Sequence, residues 1–152
     1  ALGRLRRAGY RISIVTNQSP IGRGHWGHEN LASIHQRLRS ILRSGDDDAY
    51  IDLILYSPYS PWEGSWARKP NPGMLEAGRQ LLDHAHSNPG SEPKILYGHE
   101  WLDRPDESTS LLVGDRSSDM GAAESHGVSG VKCDSSLGLA SVVDAILGDG
   151  NE

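Results

Sequence analysis

Three short stretches of this chain combine residue types that could hold a phosphate group and a hard cation. Residues 12–19 read Ile-Ser-Ile-Val-Thr-Asn-Gln-Ser, an apolar strand pattern that runs into a hydroxyl and two amides. Residues 67–73 read Ala-Arg-Lys-Pro-Asn-Pro-Gly and set two cations ahead of a predicted helix. Residues 111–119 read Leu-Leu-Val-Gly-Asp-Arg-Ser-Ser-Asp, a second strand pattern that ends in a carboxylate. A hydroxyl and free backbone N–H groups at Thr16 and Asn17 could receive phosphate oxygens. Arg68 and Lys69 stand before a helix N-terminus, whose dipole favours anions. A fixed lysine there can offset the charge that develops during phosphoryl transfer. Asp115, on the turn made by Gly114, projects above the sheet. With Asp119 four residues on, it could orient Mg²⁺ through oxygen ligands. Taken singly, each stretch also reads as an ordinary turn, helix cap or solvated basic pair. Their joint occurrence in this order is what points to chemistry.

The elements that must position these groups alternate. Residues 1–8 read as the last turns of a helix closed by Gly9. Residues 11–16 form a short β-branched run suited to a buried parallel strand. A glycine loop at Gly22, Gly24 and Gly27 follows. Leu31, Ile34, Leu38, Ile41 and Leu42 then mark one face of a helix over 29–43. Gly45 and Asp46, Asp47 and Asp48 end it, and residues 51–56 read as a second strand. The loop over 57–72 holds four prolines and is expected to pack through Trp62 and Trp66. Pro72 opens a helix with Met74, Leu75, Gly78, Leu81, Leu82 and Ala85 on one face. Residues 86–108 read as a polar surface insertion, with a possible short strand at 95–97. A third strand spans 110–113, a helix about 118–125, a weaker strand 128–133, and a last helix uses Leu139, Val142, Val143, Ile146 and Leu147, capped by Ser135 or Ser136. Strands alternating with helices imply an α/β fold with a mainly parallel sheet and helices on both faces. Ligands in such sheets gather at the carboxyl ends of the strands, where Thr16, Asn17, Asp115 and Arg116 all fall.

Length and composition set the outer limits. The 152 residues fit a single domain, with 86–108 as an excursion from it. A net charge of −5 supplies no general basic face, which argues against nucleic acid as the main partner. Cys133 is the sole cysteine, so neither an intramolecular disulfide nor a multi-cysteine zinc site can form. The apolar runs fall far short of the roughly 20 residues that cross a bilayer, and no basic-then-apolar leader opens the chain. The expected setting is therefore cytoplasmic, without membrane partners, and a monomer is the default. His25 and His28 lie in the glycine loop, His84 and His86 at a helix end, and none has metal-cluster spacing. Cys133 reads as a small apolar residue at a strand end.

Thr16-Asn17-Gln18-Ser19, Arg68-Lys69-Pro70 with Pro72-Gly73-Met74, and Gly114-Asp115-Arg116 with Asp119 resemble motifs II, III and IV of the haloacid dehalogenase (HAD) superfamily. The chain is similar to the branch of heptose bisphosphate and histidinol-phosphate phosphatases, over about residues 1–147 outside the insertion. The resemblance implies a Rossmann-like three-layer sandwich and phosphomonoester hydrolysis of a small phosphorylated metabolite. It assigns phosphoryl binding to Thr16, stabilisation of a phosphoaspartate to Lys69, and Mg²⁺ binding to Asp115, with Asp119 supporting the loop or the metal shell. Asn17, Gln18, Arg23, Arg68 and Arg116 become candidate substrate contacts. A polynucleotide 3′-phosphatase shares a similar second motif, but the acidic charge and the Gly-Asp-Arg pattern disfavour it. Two departures stand out. No apolar strand ending in Asp-x-Asp, the family's nucleophile strand, precedes motif II, and Asp46-Asp47-Asp48 follows a helix instead. Without it the covalent route is closed. The expectation is a chain lacking roughly 30–40 N-terminal residues that carry this strand. The alternative is a non-catalytic fold that binds a phosphorylated ligand or a protein. The second departure is the zinc loop of the heptose branch: the matching positions are Ser57, Tyr59, Ser65 and Ala67, so no zinc is expected.

Overall fold

A computed structural model describes residues 1–24 and 27–148. Helix α1 (Leu2–Arg7) leads into strand β1 (Ser13–Asn17), a single turn α2 (Ser19–Gly22) and the long helix α3 (His28–Gly45). Strand β2 (Leu53–Ser57) follows, and helix α4 (Gly73–Ser87) comes after the proline-rich loop. Strand β3 (Leu111–Gly114), helix α5 (Ser117–His126), strand β4 (Ser129–Lys132) and a short helix α6 (Val143–Leu147) complete the order. The alternation places strands and helices as the apolar periodicities require. Three details differ from expectation. Residues 95–97 are not a strand, because Leu96 bonds the side chain of Gln80 at 2.8 and 2.9 Å rather than another strand. The glycine loop contains α2. The last helix begins at Val143 after a 3₁₀ turn, and neither Ser135 nor Ser136 caps it. Asp134 instead receives the N–H groups of Ser136 and Leu137, both at 2.8 Å, in a local turn.

The strands form two parallel pairs rather than one continuous sheet. β1 pairs with β2 in the register Thr16 to Tyr56, and β3 pairs with β4 in the register Val113 to Val131. Between the pairs runs a cavity of about 990 Å³, lined by Ile14 and Val15 on one side and by Leu111, Leu112 and Val113 on the other. Leu75 and Gly78 of α4 also line it. The core cluster of Leu112, Ala122 and Ala123 takes in Val15, Leu75 and Val128, so side chains from both pairs meet on the helices that flank them. Parallel strands are normally buried on both faces and paired on both edges, and the facing edges of β1 and β3 flank this cavity instead.

The insertion is anchored to α4 and α5. Trp101 is buried and stacks on His126 with ring centroids 6.2 Å apart. His126 Nε2 meets Glu107 at 2.6 Å. Among the described residues no helix is long and apolar enough to cross a membrane.

Candidate active site

The carboxyl end of β1 and the loop before α4 are joined through Asn17 and Lys69. The Asn17 amide Nδ2 donates to the Lys69 carbonyl and its Oδ1 accepts from the Lys69 N–H, both at 3.1 Å. This two-point bond holds the lysine backbone beside the strand end. The side chain then turns inward: Lys69 Nζ donates to the Val15 carbonyl at 3.0 Å and to Asp119 Oδ1. Both side chains are largely removed from water, at 11% and 8% exposure, so each serves as the other's counter-ion. The second oxygen of Asp119 accepts the Arg116 N–H at 3.1 Å. Gly114 makes this possible, since a side chain on it would overlap the Asp119 carboxylate.

Thr16 sits one residue from the carbonyl that binds Lys69, and Gln18 Nε2 donates to its Oγ1 at 3.2 Å. Because Gln18 fills an acceptor position, the single O–H of Thr16 remains as a donor. Lys69 has three N–H donors, two of them engaged, which leaves one. Asp115 is exposed directly beyond β3. Thr16, Lys69 and Asp115 thus share one rim, linked through Val15, Asp119 and Arg116. Asn17 is occupied with the lysine loop. Arg23 donates to Ser19 Oγ at 2.9 Å and Arg68 to the Tyr59 carbonyl at 2.9 Å, while Arg116 is exposed at the start of α5.

Among the described residues, no group of three or more His, Cys, Asp or Glu side chains is placed to hold a metal. Mg²⁺ commonly takes only one or two carboxylates and completes its shell with water and phosphate. Asp115 suits that role. Asp119 has both oxygens engaged by Lys69 and Arg116. His25 lies outside the described residues, and His28 Nδ1 meets the Tyr56 hydroxyl at 2.5 Å. Cys133 is half-buried just past β4.

The loop over 57–72 is braced differently from the expected tryptophan packing. Trp62 is 75% exposed and Trp66 is about half exposed. The bracing comes from hydrogen bonds: the Ser65 carbonyl receives Arg68 N at 3.1 Å and Asn71 Nδ2 at 2.9 Å. Trp66 Nε1 donates to Glu76 at 2.5 Å. Glu76, 1% exposed, also accepts from the Gly98 N–H at 2.8 Å and from Arg104 at 2.6 Å. It ties the lysine loop to the insertion. The sequence showed only a glutamate in the first turn of a helix, where such residues are common.

Residues 66–135 match a family model described as HAD-hydrolase-like. The D-glycero-β-D-manno-heptose-1,7-bisphosphate 7-phosphatase of Pseudomonas aeruginosa is 39% identical over 84 residues, covering 55% of this chain and 44% of that protein. The enzyme of the same name from Mesorhizobium japonicum is 32% identical over 136 residues, covering 84% of this chain and 52% of that one. The chain spans about half the length of the curated relatives it matches. In fold it is similar to a D,D-heptose 1,7-bisphosphate phosphatase from B. bronchiseptica solved with magnesium and phosphate, with TM-score 0.70, 22% identity, and coverage of 97% of this chain and 80% of that one. Residues 66–135 thus carry HAD-like hydrolase sequence, and the relatives and the fold agree with that assignment.

Proposed function

We propose that this domain serves a phosphomonoester hydrolase acting on a small phosphorylated metabolite of the sugar bisphosphate class. The observation that carries the reading is the lysine held between β1 and α5, with a free hydroxyl and a free carboxylate on the same rim. The third N–H of Lys69 and the O–H of Thr16 would bind the phosphoryl oxygens, and the lysine charge would offset the negative charge that builds up in transfer. The relatives' names and the magnesium in the fold neighbour support the class and the ion. Bound at Asp115, Mg²⁺ would neutralise phosphoryl oxygens.

The reading further holds that a strand outside residues 1–152 enters the cavity between β1 and β3 and carries the nucleophilic aspartate at its carboxyl end. In the first step a carboxylate oxygen of that aspartate would bond to phosphorus as the ester oxygen departs with a proton from the second aspartate of the Asp-x-Asp. Water, giving a proton back to the second aspartate, would then attack phosphorus, release inorganic phosphate and restore the first carboxylate. The cavity's position between two unjoined parallel pairs favours this arrangement. The test is phosphate release from a sugar bisphosphate by the chain completed with an apolar strand ending in Asp-x-Asp. Release that requires that first aspartate and falls in Lys69→Ala or Asp115→Asn supports the reading, and release indifferent to all three contradicts it. A second reading, ligand binding without turnover, is favoured by the ends of β1 and β2, which bear Thr16 to Ser19 and Ser57 to Ser60 but no carboxylate. Phosphate binding by the completed chain with no release from any ester would favour it.

A further inference from the structure

Glu76, in the first turn of α4, is the most buried carboxylate among the described residues. Its two oxygens face different parts of the chain. Oε1 accepts from Trp66 Nε1 at 2.5 Å, while Oε2 accepts from the Gly98 N–H at 2.8 Å and from Arg104 at 2.6 Å. Taking a carboxylate out of water is costly, and an apolar side chain at such a position often serves stability as well. What the carboxylate adds is a fixed geometry between the groups that bond to it.

On the Oε1 side that geometry belongs to the root of the lysine loop. Trp66 is held at its indole by Glu76 and at its carbonyl by the Gly73 N–H at 3.0 Å. The approach is so close that a side chain on Gly73 would overlap this carbonyl. One residue on either side, the loop is closed by further bonds: the Arg68 N–H and Asn71 Nδ2 both reach the Ser65 carbonyl, and the Asn71 N–H reaches the Arg68 carbonyl at 2.9 Å. Lys69 stands at the apex of this closed loop. Its neighbour Pro70 seats against α5, where a side chain on Gly121 would overlap the proline ring. A shift of Trp66 is therefore carried to the lysine rather than absorbed on the way.

On the Oε2 side the geometry belongs to the insertion. Arg104 donates to the Gly98 carbonyl at 2.9 Å and, through Nε, to the Trp101 carbonyl at 3.2 Å. Its guanidinium also lies 4.5 Å from the Trp101 ring centroid. The segment over 98–104 is thus folded around the same cation that neutralises Glu76.

We infer that Glu76 is a positioning residue for Lys69, through which the seating of the 98–104 segment sets the geometry of the phosphate pocket. The role rests on the proposed function, in which Lys69 and Thr16 hold the phosphate. Trp66 passes the position of the carboxylate to the lysine loop, and Arg104 makes that position depend on the insertion.

Calorimetric titration of the 152-residue chain with inorganic phosphate tests this. Trp66→Phe removes one donor and keeps an aromatic ring, and Arg104→Met removes the guanidinium and keeps an apolar stem. Each should weaken phosphate binding about fivefold, although neither side chain belongs to the lysine pocket. The double variant should bind phosphate no more weakly than the single ones, because both act through one carboxylate. Ile51→Val, a buried position just before β2, should lower the urea midpoint and leave phosphate affinity unchanged. Unchanged affinity in either single variant, losses that multiply in the double variant, or an equal loss in Ile51→Val each overturns the positioning role and leaves the lysine pocket standing. A wild-type chain that binds no phosphate overturns the pocket and the role with it. Trp66 and Arg104 are both partly exposed, and unchanged circular dichroism will show that the variants fold.

Discussion

Around the amino ends of β1 and β2, Arg6, Arg7 and Arg11 face Asp52, Asp46 with Asp48, and Asp83 respectively, whereas at the carboxyl ends Arg23, Arg68 and Arg116 face no carboxylate among the described residues. Among the described residues, the tightly paired cation at the carboxyl ends is Lys69, whose partner Asp119 lies in the first turn of α5 beside the candidate site. The amino end uses its charges on itself and would offer an anion little. The opposite end keeps guanidinium groups, a hydroxyl and an exposed aspartate available. In a chain of net charge −5 that asymmetry would draw an anionic ligand to one rim.

The sharpest way to break the comparison is to remove Lys69. Lys69→Met leaves Asp119 buried and unpaired, so unfolding free energy should fall by about 3 kcal/mol and phosphate affinity at least about tenfold. Adding Asp119→Leu should restore much of the stability, by urea titration, without restoring phosphate binding. Recovery of both would mean that the lysine has only a structural role. Glu76→Leu comes next. It strands Trp66 Nε1, the Gly98 N–H and Arg104, and should cost about 2–4 kcal/mol in the same titration. A loss below about 1 kcal/mol would show that the insertion does not depend on that carboxylate.

At the amino end the effects should be small. Arg11→Ala removes a half-exposed pair with Asp83 and should change stability by less than about 1 kcal/mol, with the difference shrinking in high salt. This end should instead report pH. The Asp48 backbone N–H, with the Arg7 guanidinium, holds the Asp46 carboxyl below the usual carboxylate range. For Asp83, burial pushes upward, but the Arg79 and Arg11 guanidinium groups outweigh it and the value is lowered. Folded values below the unfolded value of about 3.9 give stabilisation that is complete above that pH. It is lost as pH falls through the folded values. Urea midpoints measured from pH 6 to 2.5 should therefore decline chiefly below about pH 4, and a flat profile there would remove these pairs from the account.

What the sequence revealed and what it hid follow from the range of the interactions involved. β1, α3, α4, β3 and α5 were legible because apolar periodicity and caps are local. Thr16, Lys69 and Asp115 stand out in the sequence as candidates because each lies at a strand end or in the loop ahead of a helix. Four things were hidden. The Asn17 amide gives no sign in sequence that it will bond a backbone 52 residues away. Glu76 resembles any first-turn glutamate until Trp66 and Arg104 fold onto it. Trp62 was expected to pack inward because tryptophan usually does, but its position depends on the Ser60 and Glu63 cap, which only the folded loop displays. Ile95 to Tyr97 has strand composition, yet Gln80 takes up the backbone bonds of Leu96.

A crystal structure of the 152-residue chain soaked in tungstate, a phosphate mimic, measures the contrast between the two ends most directly. The account predicts one strongly bound ion at the carboxyl ends, within about 3 Å of Thr16 Oγ1 and Lys69 Nζ. An ion settled instead among Arg6, Arg7 and Arg11, with the lysine pocket empty, would contradict it.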